Sequence, residues 1–221
     1  MHLLATSTAT LDDLIEPIDL AQQPAEMVVL SFSDSDLSAV AAAWRAQADD
    51  MPTLRLAALR DLRHPMSVDL WLDGAGGAAK VVAVDVGHGQ LAKEVAADPR
   101  VRMIEGMNAK DITRDLVPER ISFIVADLSF IGLQKALPPS LALAEPGATL
   151  VALIKPQFEA GPENVGRGGI VRDEALRRKI CDEIAAWLEH EAGWRVLGLT
   201  ESPIEGGDGN VEFLIAARHD K

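Results

Sequence analysis

The chain has 221 residues, 48% of them hydrophobic and 25% charged, which is enough for one sizeable core or two small ones. Its net charge of −13 at pH 7 excludes a protein that coats nucleic acid non-specifically, and no run approaches the roughly 18 apolar residues that span a bilayer. The single cysteine, Cys181, excludes an internal disulfide, and no Cys/His cluster has zinc-ligand spacing.

The opening MHLLATSTATLDD has no basic n-region and turns acidic quickly, so it does not read as a secretory signal and a cytoplasmic protein is expected. Charge is spread unevenly. Residues 1–73 carry 4 basic and 12 acidic side chains, against 17 and 22 in the remaining 148. Any RNA contact must therefore come from a local basic patch, and the stretch from Lys155 to Lys179 is the best candidate.

In chain order, VVLSF (28–32), the acidic SDSD and a helical LSAVAAAWRA form one β-loop-α unit. A possible strand LRLAAL, a basic turn RDLRHP and MSVDLWLD follow. The stretch GAGGAA (74–79) precedes a strand, whereas a dinucleotide loop follows one, so it reads as a junction. From Lys80 the pattern alternates: strand KVVAVDV, helix QLAKEVAAD, strand RVRMIEG, a helical turn at DITRDL, and strand ISFIVADL. Helix LQKALPPSLALAE comes next, interrupted or restarted at Pro138-Pro139, then strand TLVALIK and a Gly-rich loop. The helix RDEALRRKICDEIAAWLEHEA leads to RVLGLTES, a GGDGN turn and VEFLIAARH. Short β-branched runs between helices predict an α/β fold with a largely parallel sheet covered on both faces. The short final connection makes the last strand antiparallel.

In such a sheet, ligands bind at the carboxyl ends of the strands. Asp127 ends ISFIVAD, and Lys155 ends TLVALI with Pro156 biasing it toward an extended backbone. Glu212 opens the last strand, whose reversed direction brings it to the same rim. An acid, a lysine and a second acid then converge from three strands. A lysine that can lose its proton takes one from a ribose hydroxyl, and flanking carboxylates orient it. An ordinary ion-pair network on a strand edge is the competing reading, and spacing alone favours it. Asp85 closes KVVAVD where nucleotide-binding folds hold ribose hydroxyls. Asn108 suits either an adenine edge or a turn. His88 and His190 read as surface histidines.

The stretch KPQFEAGPENVGRGGIVRD (155–173), with VVAVDVGHGQLA, DPRV, VADLSFIGL and GNVEFL, closely resembles the signature of the TlyA-type family, haemolysin-named bacterial RNA methyltransferases. The likeness covers about residues 78–218 in the family's order. It implies a Rossmann-like methyltransferase sheet, S-adenosylmethionine as cofactor, and methylation of a ribose 2′-hydroxyl in ribosomal RNA or the ribosomal subunit. By the same resemblance Asp127, Lys155 and Glu212 match three positions of a Lys-Asp-Lys-Glu catalytic set. Asp85 matches the ribose-binding acid, and Asn108 and Asp127 line the cofactor pocket. Arg167, Arg172, Arg177, Arg178 and Lys179 would meet phosphate, with a solvated helix start as the equal alternative.

The family's S4-like RNA-binding domain, its first catalytic lysine and the Gly-rich loop after its first strand have no recognisable counterpart. Lys80 does not replace the lysine, because it aligns with the start of the second strand. The sheet is thus expected to be incomplete at its first strand, unless VVLSF occupies that slot. Residues 1–73 resemble instead the N-terminus of the aerobic cobaltochelatase large subunit, through MHLLATSTATLDDLIEP, VVLSFSDSDLSAVAAAWR and LRLAALRDLRHPMSVDLWLD. The expected organisation is a cobaltochelatase-like fragment (1–73), a junction (74–79) and a methyltransferase-like domain (80–221). Two alternatives follow: a non-catalytic remnant, or a cobalamin-biosynthesis fragment whose partners are other chelatase subunits.

Overall fold

The computed structural model describes residues 26–30, 55–57, 69–71, 80–91, 93–202, 206 and 209–220. The helix read at 37–46, the basic turn and the GAGGAA junction lie outside the described residues. Nine strands are described: β1 (Glu26–Leu30), β2 (Arg55–Ala57), β3 (Asp69–Trp71), β4 (Lys80–Asp85), β5 (Val101–Glu105), β6 (Ile121–Ala126), β7 (Ala144–Ile154), β8 (Arg195–Glu201) and β9 (Phe213–Arg218). Seven of them form one sheet in the order β5-β4-β1-β6-β7-β9-β8, and β2 and β3 pair separately as an antiparallel ribbon.

The expected gap at the first strand is filled. Strand β1 lies parallel between β4 and β6, with Leu30 in register with Val84 on one side and Ala126 on the other. The run it contributes, Glu26–Leu30, supplies backbone donors and acceptors that β4 and β6 would otherwise lack at the centre of the sheet. Val81, Val82, Ala83 and Val84 of β4 are all buried, as a strand covered on both faces requires. Strand β9 runs antiparallel to both β7 and β8, as the sequence predicts.

Five helices flank the described sheet: α1 (Lys93–Ala96), α2 (Leu133–Ala136), α3 (Pro138–Leu141), α4 (Pro156–Glu159) and α5 (Glu174–His190). Helix α1 is shorter than QLAKEVAAD suggests. Asp98 accepts from the Arg100 backbone amide at 2.9 Å on the surface, and Pro99 has no amide to continue a helix. The break at Leu137, ahead of Pro138, falls where the sequence places it. Beyond it, Ala144 already begins β7, so the second half of LQKALPPSLALAE is a turn and a strand. Gly147, at φ 84°, donates to the His219 carbonyl and ties this early extension to the chain end.

The long helix α5 is capped by Asp173, whose carboxylate accepts from the amides of Ala175 and Leu176. It buries Ile180, Cys181, Ile184 and Leu188 against the core. These positions fall on one face of a 3.6-residue repeat. Gly193, at φ 74°, reverses the chain into β8. At the amino ends of the parallel strands, Glu119 pairs with Lys80 and, at 3.5 Å, with Arg102. Burial works to raise the Glu119 carboxyl, but Lys80, a backbone amide hydrogen bond and Arg102 together outweigh it and hold it below its ordinary value. Lys80 therefore stands at the rim opposite Asp85, and the expectation that it is no substitute for the family's lysine fits that position.

Candidate active site

The carboxyl ends of β4, β6 and β7 meet at one rim, and the antiparallel β9 starts there. Residues Ile154 and Phe213 are register partners, so Lys155 and Glu212, one step further along each chain, leave the sheet side by side. Lys155 has an extended backbone (φ −109°, ψ 99°) and Pro156 occupies the first turn of α4, as expected for a residue preceding proline. Its Nζ lies 2.5 Å from Asp127 Oδ1, and each side chain is 2% exposed. The Ser129 hydroxyl lies at 3.5 Å from the same ammonium.

Burial pushes the Asp127 carboxyl up to about 6; the Lys155 ammonium opposes that shift and the nearby Glu212 charge adds to it. Oδ1 is taken by the ion pair, whereas Oδ2 is fully buried with no hydrogen-bond partner among the described residues. A buried acceptor left open in this way costs free energy unless a ligand donor reaches it.

Glu212 is 3% exposed. One of its oxygens accepts from Gln157 Nε2 at 3.0 Å, and its own carbonyl accepts from the Ser202 amide at 2.8 Å. It precedes β9 by one residue rather than opening it. The three side chains selected from the sequence are thus brought to one rim, two of them in direct contact.

At the end of β4, Asp85 is 5% exposed and its Oδ1 accepts from the Gly87 amide at 2.6 Å. The Met107 amide donates to the Asp85 carbonyl at 3.0 Å, which joins the loops after β4 and β5. Asn108 caps a 3-10 turn, Ala109–Asp111, by accepting from the Lys110 amide at 3.2 Å, so the turn reading of this residue describes its present contacts. The segment leaving β1, where the family keeps its Gly-rich loop, lies outside the described residues.

The basic cluster divides. Arg178 pairs with Glu174 and Lys179 with Glu183, both one turn apart on exposed helix surface, the arrangement of a solvated helix start. Arg177 is half-buried. Arg167 and Arg172 are exposed on the loop before α5 and form no ion pair among the described residues. Gly168 and Gly169, at φ 84° and 78°, fold that loop back on itself, a conformation L side chains resist.

Three residues of this region escape sequence reading. Phe130 is 91% exposed at φ 64° and its ring lies 5.0 Å from that of Phe158. A large exposed aromatic in the left-handed region, three residues past Asp127, is an unusual expenditure of backbone strain. Gln157 and the buried Asn210 are the others. The motifs KPQFE and GNVEF contain both, but polar residues in loops give no signal of whom they meet.

Comparison with known proteins matches this geometry to a family. The FtsJ-like methyltransferase model matches residues 66–219. The 16S/23S rRNA (cytidine-2′-O)-methyltransferase TlyA of Mycobacterium tuberculosis is 44% identical over 142 residues, 64% of this chain and 53% of that protein. The crystal structure of a hemolysin-named protein from Lactococcus lactis superposes with a TM-score of 0.69 at 31% identity, covering 95% of this chain and 85% of that one. The aerobic cobaltochelatase subunit CobN of a Sinorhizobium species is 43% identical over 84 residues, 38% of this chain but 6% of that protein. This chain spans about half the length of the curated methyltransferase relatives it matches. With a Rossmann-like sheet, an acid–lysine pair at its ligand rim and a family match over most of its length, the chain belongs to the FtsJ-like methyltransferases.

Proposed function

We propose that this chain transfers a methyl group from S-adenosylmethionine to a ribose 2′-hydroxyl of ribosomal RNA. The observation that carries the reading is the buried Lys155–Asp127 pair with Glu212 beside it at the strand ends. Asp85 at the end of β4 suits the cofactor ribose, and the open Oδ2 of Asp127 is an acceptor for a donor of cofactor or substrate. Asn108 lies on the loop joined to Asp85 and completes the pocket. The cofactor supplies an electrophilic methyl group when bound.

The residues of the chain then do three things. Lys155 first gives up its own proton to solvent and, as the neutral amine, takes the proton of the ribose hydroxyl as the oxygen attacks the methyl group. Asp127 and Glu212 orient the amine and balance the charge it regains. The buried rim excludes water and holds the oxygen in line, so positioning supplies much of the acceleration. Phe130 offers an exposed ring on which an unstacked base rests, and Arg167 and Arg172 offer phosphate contacts. We read Arg177, Arg178 and Lys179 as lesser contributors, the last two already carrying glutamate partners. Kinship with the mycobacterial enzyme supports ribosomal RNA, in isolation or in the subunit, as substrate and the cytoplasm as the setting. Among the described residues no helix is long and apolar enough to cross a membrane.

We also read the chain as two pieces joined near residues 73–80, the first of them (1–73) of cobaltochelatase descent and the second (80–221) the methyltransferase domain. Calorimetric titration with S-adenosylmethionine tests the proposal and separates it from a non-catalytic remnant. Binding is expected, weakened by Asp85→Ala by roughly tenfold or more, since a hydrogen bond to a charged group contributes about 1.5–3 kcal/mol. Absence of heat at millimolar cofactor would defeat the enzymatic reading.

A further inference from the structure

Glu212 is held from three directions, and only one of the holders is a side chain. The Gln157 amide donates to its Oε1 at 3.0 Å across 55 residues of sequence. The Ser202 amide fixes its carbonyl. Gly206 forms the third wall: a Cβ added there would stand 2.5 Å from Glu212 Oε1 and 3.1 Å from its Cδ, so a larger residue would displace the carboxylate. Gln157 lies two residues beyond Lys155 on α4, which makes its amide part of the same rigid segment as the lysine.

We infer that Gln157 is a positioning residue that holds the Glu212 carboxylate in register with the Lys155–Asp127 pair; this rests on the methyl-transfer reading above. The chemistry selects glutamine. Its NH2 donates to a carboxylate, its length spans the distance from α4 to the start of β9, and it adds no charge beside Asp127. A carboxylate at this position would face Glu212 with like charge, and a small apolar residue would leave a buried oxygen unpaired.

A donor–acceptor exchange in the full chain tests the inference with thermal unfolding, calorimetry and methyl transfer to ribosomal RNA. Gln157→Ala is expected to leave S-adenosylmethionine affinity unchanged and to lower kcat about tenfold to a hundredfold, the range for a misplaced reacting group. Gln157→Glu is expected to lower Tm, and adding Glu212→Gln to recover it, because amide and carboxylate have then traded places. Methyl transfer by that double variant should stay at the level of Gln157→Ala, as the carboxylate stands on the wrong element. Non-recovery of Tm in the double variant overturns the pairing. Recovery of Tm and transfer together overturns the positioning role. A wild-type chain that transfers no methyl group while the Tm exchange holds leaves the Gln157–Glu212 pairing standing and defeats the methyl-transfer reading instead.

Discussion

Asn210 accepts a hydrogen bond from the Val171 amide at 3.1 Å and donates to the Gly169 carbonyl at 3.0 Å. One 2% exposed side chain therefore fastens the loop carrying Arg167 and Arg172 to the turn carrying Glu212. The exposed cations of that loop and the rim holding the acid–lysine pair are set by the same amide.

Asn210→Ala is expected to break both bonds and leave the Val171 amide, in a buried environment, without its acceptor. The cost is about 1–3 kcal/mol, read as a fall in the midpoint of urea unfolding with an unchanged slope. RNA affinity should fall more than kcat, because the loop loosens before the lysine moves. A variant as stable as the parent would show that the loop is held by other contacts.

Methyl transfer should decline as pH falls through about 6. Asp127 is raised from 3.8 to about 6 by burial, so it is ionised at neutral pH and gains a proton below that value, releasing Lys155. The stability sign is opposite. A carboxyl whose folded value is raised contributes stability at low pH that is lost as pH rises from about 4 to about 6. Asp127→Asn is expected to remove this slope from a plot of stability against pH while abolishing transfer, and an unchanged slope would mean that another group titrates in that window.

Phe130→Ala should leave folding intact, since the ring is 91% exposed, and should weaken transfer to RNA by about 1–3 kcal/mol, the contribution of one base–aromatic stack. S-adenosylmethionine affinity is expected to be unaffected. Equal losses with cofactor and RNA would assign the ring to the cofactor pocket instead.

Much of the rim was legible because it follows from strand direction. Asp127 and Lys155 end buried β-branched runs, and the short connection into the last strand fixes its sense, so Glu212 had to arrive at the same end. The helix break at Pro138 and the extended backbone of Lys155 follow from proline geometry. What escaped depends on non-local meetings. Gln157 finds Glu212 and Asn210 finds Val171 only after the sheet has formed, and no local pattern distinguishes them from solvated loop residues. The positive φ of Phe130 is equally silent, since only glycine and asparagine advertise such a conformation. The placement of Glu26–Leu30 within the sheet takes up the alternative in which VVLSF (28–32) fills the first-strand slot, although residues 1–73 resemble another family.

That placement governs how the chain reaches its native state. Strand β1 pairs with β4 only across the intervening residues 31–79, and with β6 only across residues 31–120. Local hairpins and βα units can form early, but each of these two parallel pairings requires a long closure before any ladder bond offsets it. Until β1 docks, β4 and β6 each present an unpaired edge of apolar residues, the template on which chains associate. The centre of this sheet is therefore expected to consolidate last, with refolding yields that fall as chain concentration rises.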